Sequence, residues 1–305
     1  MVKAPMKAPT IGLTDTDLDN LLYPVYGSPK FDGFRCLTDN KAYTSSLKLI
    51  QNQFIQKILS KPEYAGLDGE IVIGDPTSPD AFNNTTGPVR RADGKPDFRY
   101  YVFDTFRNTN LNYEDRLVNL IMRYAQLPFV VVVEQTVIKN AKKARDYIAW
   151  CLEQGYEGAM LRSLRAPYKE GRATAREAYI FKVKPFDDDE AEIVGFVEQQ
   201  ENLNEKTTNE LGRSTRSSHK DNKRGKDTLG KLILRTKNKK LAWYGKDITC
   251  GCGRMTHAQA QEIWDNKKKY LSCIGTYKYQ TVGSIDMPRL PIWKGFRDKN
   301  DMTNY

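Results

Sequence analysis

The chain has 305 residues, of which 39% are hydrophobic and 11% aromatic, enough to build cores for two domains and too much for a disordered chain. No apolar run approaches the ~18 residues that cross a bilayer, and MVKAPMKAPT has no apolar stretch behind its basic residues, so neither a membrane span nor a signal peptide is expected. The net charge of +10 is concentrated: residues 211–240 hold 11 Lys and Arg against Asp221 and Asp227, a pattern that favours a polyanion and makes nucleic acid the natural partner.

In chain order, GSPKFDGFR at 27–35 is the first unusual stretch. Gly27, Pro29 and Gly33 punctuate it, so it reads either as a polar turn or as a lysine nucleophile, Lys30, with Asp32 and Arg35 fixed around it. LIQNQFIQKILS places Ile50, Phe54, Ile55 and Ile58 on one helical face. LDGEIVIGD and YYVFDTF read as strands, and FVVVVEQTVI as one buried β-branched strand. NAKKARDYIAWCLEQG is an amphipathic helix closed by Gly155. Strands follow in YEGAMLR and YIFKVKPF, the second stopped near Pro185.

Beyond PFDDDE the texture changes. EAEIVGFVE, KLILRT, KLAWYG and CIGTYKYQTV are short strands and THAQAQEIWDNKKKYL is a helix, a pattern that suits a small barrel. NLNEKTTNELGRSTRSSHKDNKRGKDT is nearly devoid of apolar residues and is expected to leave the barrel as a long loop or hairpin. The boundary is placed near residue 188, giving domains 1–188 and 189–305 with a basic insertion at about 200–228. Five scattered cysteines (Cys36, Cys151, Cys250, Cys252 and Cys273) fit a reducing, intracellular setting. Cys250-Gly-Cys252 lacks the second pair that a zinc site requires. With only His219 and His257 in the chain, a histidine triad is not expected.

Lys30 alone is a weak signal, but further motifs follow it in order: Asp68-Gly69-Glu70, Tyr101-Val102-Phe103-Asp104, Glu157-Gly158-Ala159-Met160-Leu161-Arg162 and Lys182-Val183-Lys184. Together these resemble the covalent nucleotidyltransferase superfamily and, within it, the minimal viral ATP-dependent DNA ligases of the kind found in Chlorella virus. The resemblance runs from about Tyr23 to Asp301, through GRSTRSSHK and MPRLPIWKGFRD.

The resemblance implies an α+β chain: a nucleotidyltransferase domain of antiparallel sheets with helices, then an OB-fold barrel carrying a latch-like hairpin. It implies a ligase in which Lys30 attacks the α-phosphate of ATP, forming lysyl-AMP and releasing pyrophosphate. AMP then passes to the 5′-phosphate of a nick, and the 3′-hydroxyl displaces it. By the same resemblance Arg35, Glu70, Phe103, Glu157, Lys182 and Lys184 hold ATP or AMP, with Phe103 against adenine and Glu70 on the ribose. Glu70 and Glu157 would help hold Mg²⁺ or Mn²⁺, hard ions that favour oxygen. Lys182 and Lys184, two apart on a strand, share a face and can meet one phosphate, and as cations they favour the neutral amine of a lysine nucleophile.

Asp32, Lys48, Arg172 and the basic residues Arg213, Arg216, Lys220, Lys223 and Arg224 would contact nicked duplex DNA, encircled by a monomer. Arg289 and Arg297, with Asp298 nearby, would orient pyrophosphate. One departure stands out: where the family has an arginine shortly after the nucleophile motif, this chain has Ser45, with Lys48 as the neighbouring cation. A hydroxyl cannot replace a guanidinium against phosphate, so a weaker grip is expected there. RNA ligases and capping guanylyltransferases share the first-domain chemistry, and the latch-like insertion favours DNA nicks, since a capping enzyme acts on an RNA end and needs no clamp around duplex. A non-catalytic OB-fold nucleic-acid-binding protein is the alternative of a different class. Intact Lys30, Glu70, Glu157, Lys182 and Lys184 argue against it.

Overall fold

The computed structural model describes residues 4–10, 13, 15–208, 214–217, 222–280 and 284–297. The chain divides into two units between Lys184 and Pro185. The strands are β1 (Val25–Pro29), β2 (Phe34–Thr38), β3 (Ala42–Thr44), β4 (Leu67–Ile73), β5 (Phe98–Thr105), β6 (Val130–Val132), β7 (Thr136–Ile138), β8 (Ala159–Ser163) and β9 (Ile180–Val183) in the first unit. The second contains β10 (Phe186–Asn202), β11 (Lys206–Thr208), β12 (Ser214–Arg216), β13 (Lys223–Thr236), β14 (Asp247–Gly251), β15 (Ile274–Gln280) and β16 (Arg289–Phe296). The helices are α1 (Asp15–Asp19), α2 (Gln53–Leu59), α3 (Ala81–Arg90), α4 (Tyr113–Tyr124), α5 (Ala141–Glu153), α6 (His257–Asp265) and α7 (Lys267–Tyr270).

The first unit is a five-stranded sheet, β3-β2-β4-β5-β6, and a four-stranded sheet, β7-β1-β8-β9. The larger sheet packs Leu67, Ile71, Phe98, Tyr100 and Val102 against Ile55 and Leu59 of α2 and Leu120 of α4. α2 begins where the Asn52 side chain accepts the Ile55 N–H at 3.0 Å, satisfying a donor that the helix itself leaves unpaired. Asn140 caps α5 in the same way through Lys143 N–H at 2.9 Å. That helix buries Ala144 against the smaller sheet, beside Val25, Leu161 and Phe181.

Two segments differ from their sequence reading. FVVVVEQTVI is not one strand: β6 pairs in parallel with β5, whereas β7 pairs antiparallel with β1. The run crosses from one sheet to the other around Glu134 and Gln135, with Val133 buried against Phe31 and Val72 at the crossing. Its apolar composition reflects contacts in two different sheets. KLAWYG is a turn, closed by Tyr244 N–H to Leu241 O at 3.0 Å and Lys246 N–H to Trp243 O at 3.0 Å. Trp243 is apolar because it fills the barrel core, where its indole N–H donates to Tyr277 Oη at 2.9 Å. The strand comes after it, as β14.

The second unit is a closed barrel in the order β10-β13-β14-β16-β15, an OB-like arrangement. β10 and β13 pair well beyond it, as far as Asn202 opposite Lys223, and β11 and β12 form a separate two-stranded ribbon. Pairing is antiparallel except for β5 with β6 and β14 with β16. The fold is thus mixed, with sheets that are mainly but not wholly antiparallel. No helix among the described residues is long and apolar enough to cross a membrane.

α4 carries a buried arginine. Arg116 is fully buried and donates to both oxygens of the equally buried Asp104, at 2.8 and 3.2 Å. Arg116→Met keeps the packing volume but leaves that carboxylate under-compensated, and it should cost about 3–5 kcal/mol. A urea titration checks this; an unchanged midpoint would show that the pair carries no such weight.

Candidate active site

A cavity of about 250 Å³ opens in the first unit between its two sheets. Ser28, Pro29, Met160, Arg162, Ile180 and Lys182 line it from the smaller sheet; Arg35, Glu70 and Phe103 line it from the larger. Lys30 stands where the chain leaves β1 for β2, which is where it crosses between the sheets. Lys30 N–H donates to Gly158 O at 2.9 Å, and Glu157 N–H donates to Lys30 O at 3.2 Å, so the lysine backbone is fixed against the start of β8. Gly33 is required by proximity: a Cβ there would strike the carbonyl oxygen of Ile71. Gly158 is required twice, by its φ of +148° and by the Val183 carbonyl against it.

The nucleophile candidate is held by charge. Glu157 is 3% exposed and accepts from Lys30 Nζ on one oxygen and from Lys184 Nζ on the other. Burial raises its carboxyl, but the two ammonium groups prevail and hold it below the usual range. Lys184 is pushed down by burial and by Lys30, with Glu157 and Asp32 opposing. Lys182 is pushed down by burial, then by Lys184, Arg172 and Lys30. Burial pushes the Glu70 carboxyl up to about 7 against the pull of Lys30 and Arg35.

A second pair of carboxylates shapes the wall. Asp68 accepts from Arg35 Nε at 2.9 Å, Arg35 Nη2 at 2.6 Å and Tyr168 Oη at 2.7 Å. Asp104 accepts from Arg162 as well as Arg116. The Arg35 and Arg162 guanidinium carbons lie 5.2 and 6.0 Å from the centre of the Phe103 ring. Between β4 and β5, Asp68 is opposite Asp104 and Gly69 is opposite Val102, so Phe103 is the extra residue of a β-bulge.

The structure therefore brings Lys30, Arg35, Glu70, Phe103, Arg172 and Lys182 to one cavity, with Glu157 and Lys184 joined to Lys30. Asp32 is half-buried in the same link. Lys48 is exposed in the turn after β3, and Ser45 is half-buried there; neither lines the cavity. Arg216, Lys223 and Arg224 are exposed on the second unit, Arg216 donating to Asn202 O at 2.6 Å. Arg289 opens β16, and Arg297 Nε donates to Glu190 at 2.7 Å. Arg213, Lys220 and Asp298 lie outside the described residues.

Sequence reading gave no role to Asp68, Asp104 or Arg162, although all three lie within the quoted motifs. The alternation of strands could have found Asp68, since it shares a face with Glu70. Tyr113, whose ring lies 4.2 Å from the Arg162 guanidinium, and Tyr168 offered no such signal.

Residues 22–184, more than half of the chain, match the family model described as the ATP-dependent DNA ligase domain. A DNA ligase of African swine fever virus is 30% identical over 107 residues, which cover 33% of this chain and 26% of that protein. The match thus spans about a quarter of the viral relative. Among solved structures, Chlorella virus DNA ligase-adenylate covers 97% of this chain and 100% of its own at 24% identity, with a TM-score of 0.53. A Lig E DNA ligase structure shows the same coverage at 20% identity, with a TM-score of 0.69. These two likenesses concern the fold.

The raised Glu70 has a thermal consequence. Between about 4.5 and about 7 the folded protein retains a proton that the unfolded chain has released, so the Glu70 contribution to stability falls as pH rises through that window. The melting temperature of the nucleotide-free protein should drop more between pH ~5.5 and ~7.5 than that of Glu70→Gln. Parallel curves for the two proteins would contradict it.

Proposed function

The chain belongs to the ATP-dependent DNA ligase family, and we propose that it seals nicks in duplex DNA through a lysyl-AMP intermediate. The observation that carries this reading is Lys30, tied to buried Glu157 and facing a cavity lined by Arg35, Glu70, Phe103, Arg172 and Lys182. In the first step the Lys30 amine forms a bond to the α-phosphorus of ATP. The bond to pyrophosphate breaks, and pyrophosphate leaves with the electron pair. Glu157, held below the usual carboxylate range, is a poor store for the amine proton; it orients Nζ, and the proton passes to solvent. Lys182 offsets charge on the phosphate in the transition state, as such steps require. Phe103 offers its ring to adenine, and Glu70 offers an acceptor to the ribose.

Mg²⁺ or Mn²⁺ fits the donors present. Glu70 and Glu157 are hard oxygen ligands, and no cluster of three or more acidic, His or Cys side chains occurs among the described residues. Such an ion is commonly held by one or two carboxylates with substrate phosphates completing its shell, where it neutralises phosphate charge.

In the later steps Asp32, Lys48 and Arg172 meet the nick. The second unit acts as an OB-fold whose extended β10–β13 arm serves as a latch around duplex, with Arg216, Lys223 and Arg224 toward the phosphates. The exposure of Arg216, Lys223 and Arg224 on and beside that arm supports this. Arg289 and Arg297 orient pyrophosphate in the first step. The enzyme works as a monomer inside the cell, a setting that suits its five free cysteines.

Incubation with labelled ATP and Mg²⁺ should give a covalent AMP adduct that Lys30→Ala abolishes. No adduct on wild type would sink the reading in favour of a nucleic-acid binder, and an adduct from GTP instead would indicate capping. Deleting residues 203–226 should reduce nick affinity and sealing far more than self-adenylylation. Equal losses in all three would mean that the arm supports the fold rather than gripping DNA.

A further inference from the structure

Lys7 and Ala8, before β1, form part of the cavity wall. Lys7 N–H donates to Gly171 O at 2.8 Å and Ala173 N–H donates to Lys7 O at 2.8 Å, so residue 7 is bridged in parallel to Arg172. The carbonyls on either side are clasped by two cavity arginines: Met6 O by Arg35 Nη2 at 2.7 Å, and Ala8 O by Arg172 Nη1 at 2.6 Å. Met6 is 1% exposed and packs with Leu37, Tyr168 and Ile180. In an extended segment the next side chain turns the other way, and Lys7 indeed lines the cavity, with Lys30, Arg172 and Lys182.

A backbone fixed on both edges thus places Lys7 in the lining of a cavity already crowded with cations. The Lys182 amine registers that crowding, since Arg172 and Lys30 add to the burial that pushes it down. Among the residues that line the cavity, Lys7, Lys30, Arg35, Arg162, Arg172 and Lys182 are cationic, against the single carboxylate of Glu70. Such a wall is complementary to an anion of several charges.

Resting on the ligase reading, we propose that Lys7 is a phosphate-binding residue of this cavity, supplying a charge-assisted hydrogen bond to the nucleotide or to the 5′-phosphate of the nick. Its backbone is already ordered by Gly171 and Ala173, so phosphate binding requires no ordering of the main chain there.

The test uses the full chain with Lys7→Met, Lys7→Gln and Lys7→Arg. One arm reads the KM for ATP in self-adenylylation. The other reads single-turnover sealing by enzyme that already carries AMP. Lys7→Met and Lys7→Gln should each lose about tenfold or more in at least one arm, with Lys7→Arg recovering most of it and melting temperatures unchanged. The arm that moves identifies whose phosphate is held. Values within twofold of wild type in both arms would overturn the proposal while leaving an active wild type intact. So would a Lys7→Arg protein as impaired as Lys7→Met. A wild type that forms no adduct would overturn the ligase reading and this proposal together.

Discussion

A carboxylate removed from water must find cations or hydrogen-bond donors, or give up its charge. Asp68 and Asp104, both fully buried and facing each other across β4 and β5, impose that requirement on the first unit. Asp68 is answered by Arg35 and Tyr168, and Asp104 by Arg116 and Arg162. Those partners come from β2, α4, β8 and the segment that follows β8. Compensating two charges therefore joins both sheets and a helix, and leaves two guanidinium groups in the cavity wall beside Phe103.

Glu157 applies the same rule to the reacting group. It holds Lys30 and Lys184 at once, so one carboxylate sets the position of the nucleophile and of a second amine. The link containing Lys30 spans the gap between two sheets, each with its own core, and its ends cannot drift independently. A lysine so placed is presented by the strongest elements of the unit, although it lies in a loop itself.

Much of this was legible in the sequence where local chemistry and local structure coincide. Lys30, Gly33, Glu70, Gly158 and Lys182 carried their meaning in short motifs, and the glycines are explained by backbones that approach too closely for a Cβ. The helices over 53–59 and 141–153 were visible in apolar periodicity and, for the second, in its closing glycine. What was hidden depends on long-range partners. FVVVVEQTVI is uniform in composition, so nothing local marks the change of sheet within it. Trp243 looks like a strand residue until the barrel that encloses it exists. α3 and α4 escaped notice because Pro88 interrupts one and a buried arginine sits on the inner face of the other. Lys7 has no motif at all; its place is decided by backbone bonds to residues more than 160 positions away.

The bulge at Phe103 sets the parity of β5. In an uninterrupted ladder Phe103 would face Asp68, and Asp104 would turn to the opposite side, into the apolar layer of Tyr100 and Val102. One additional residue allows an aromatic ring and a carboxylate, adjacent in sequence, to serve the same side of the sheet. Ring and anchor are consequently inherited as a unit. A single-residue deletion in this strand would leave its length almost unaltered while placing an anion among hydrocarbons and freeing Arg162 from its tether. The strand tolerates exchange of side chains far better than a change in their count.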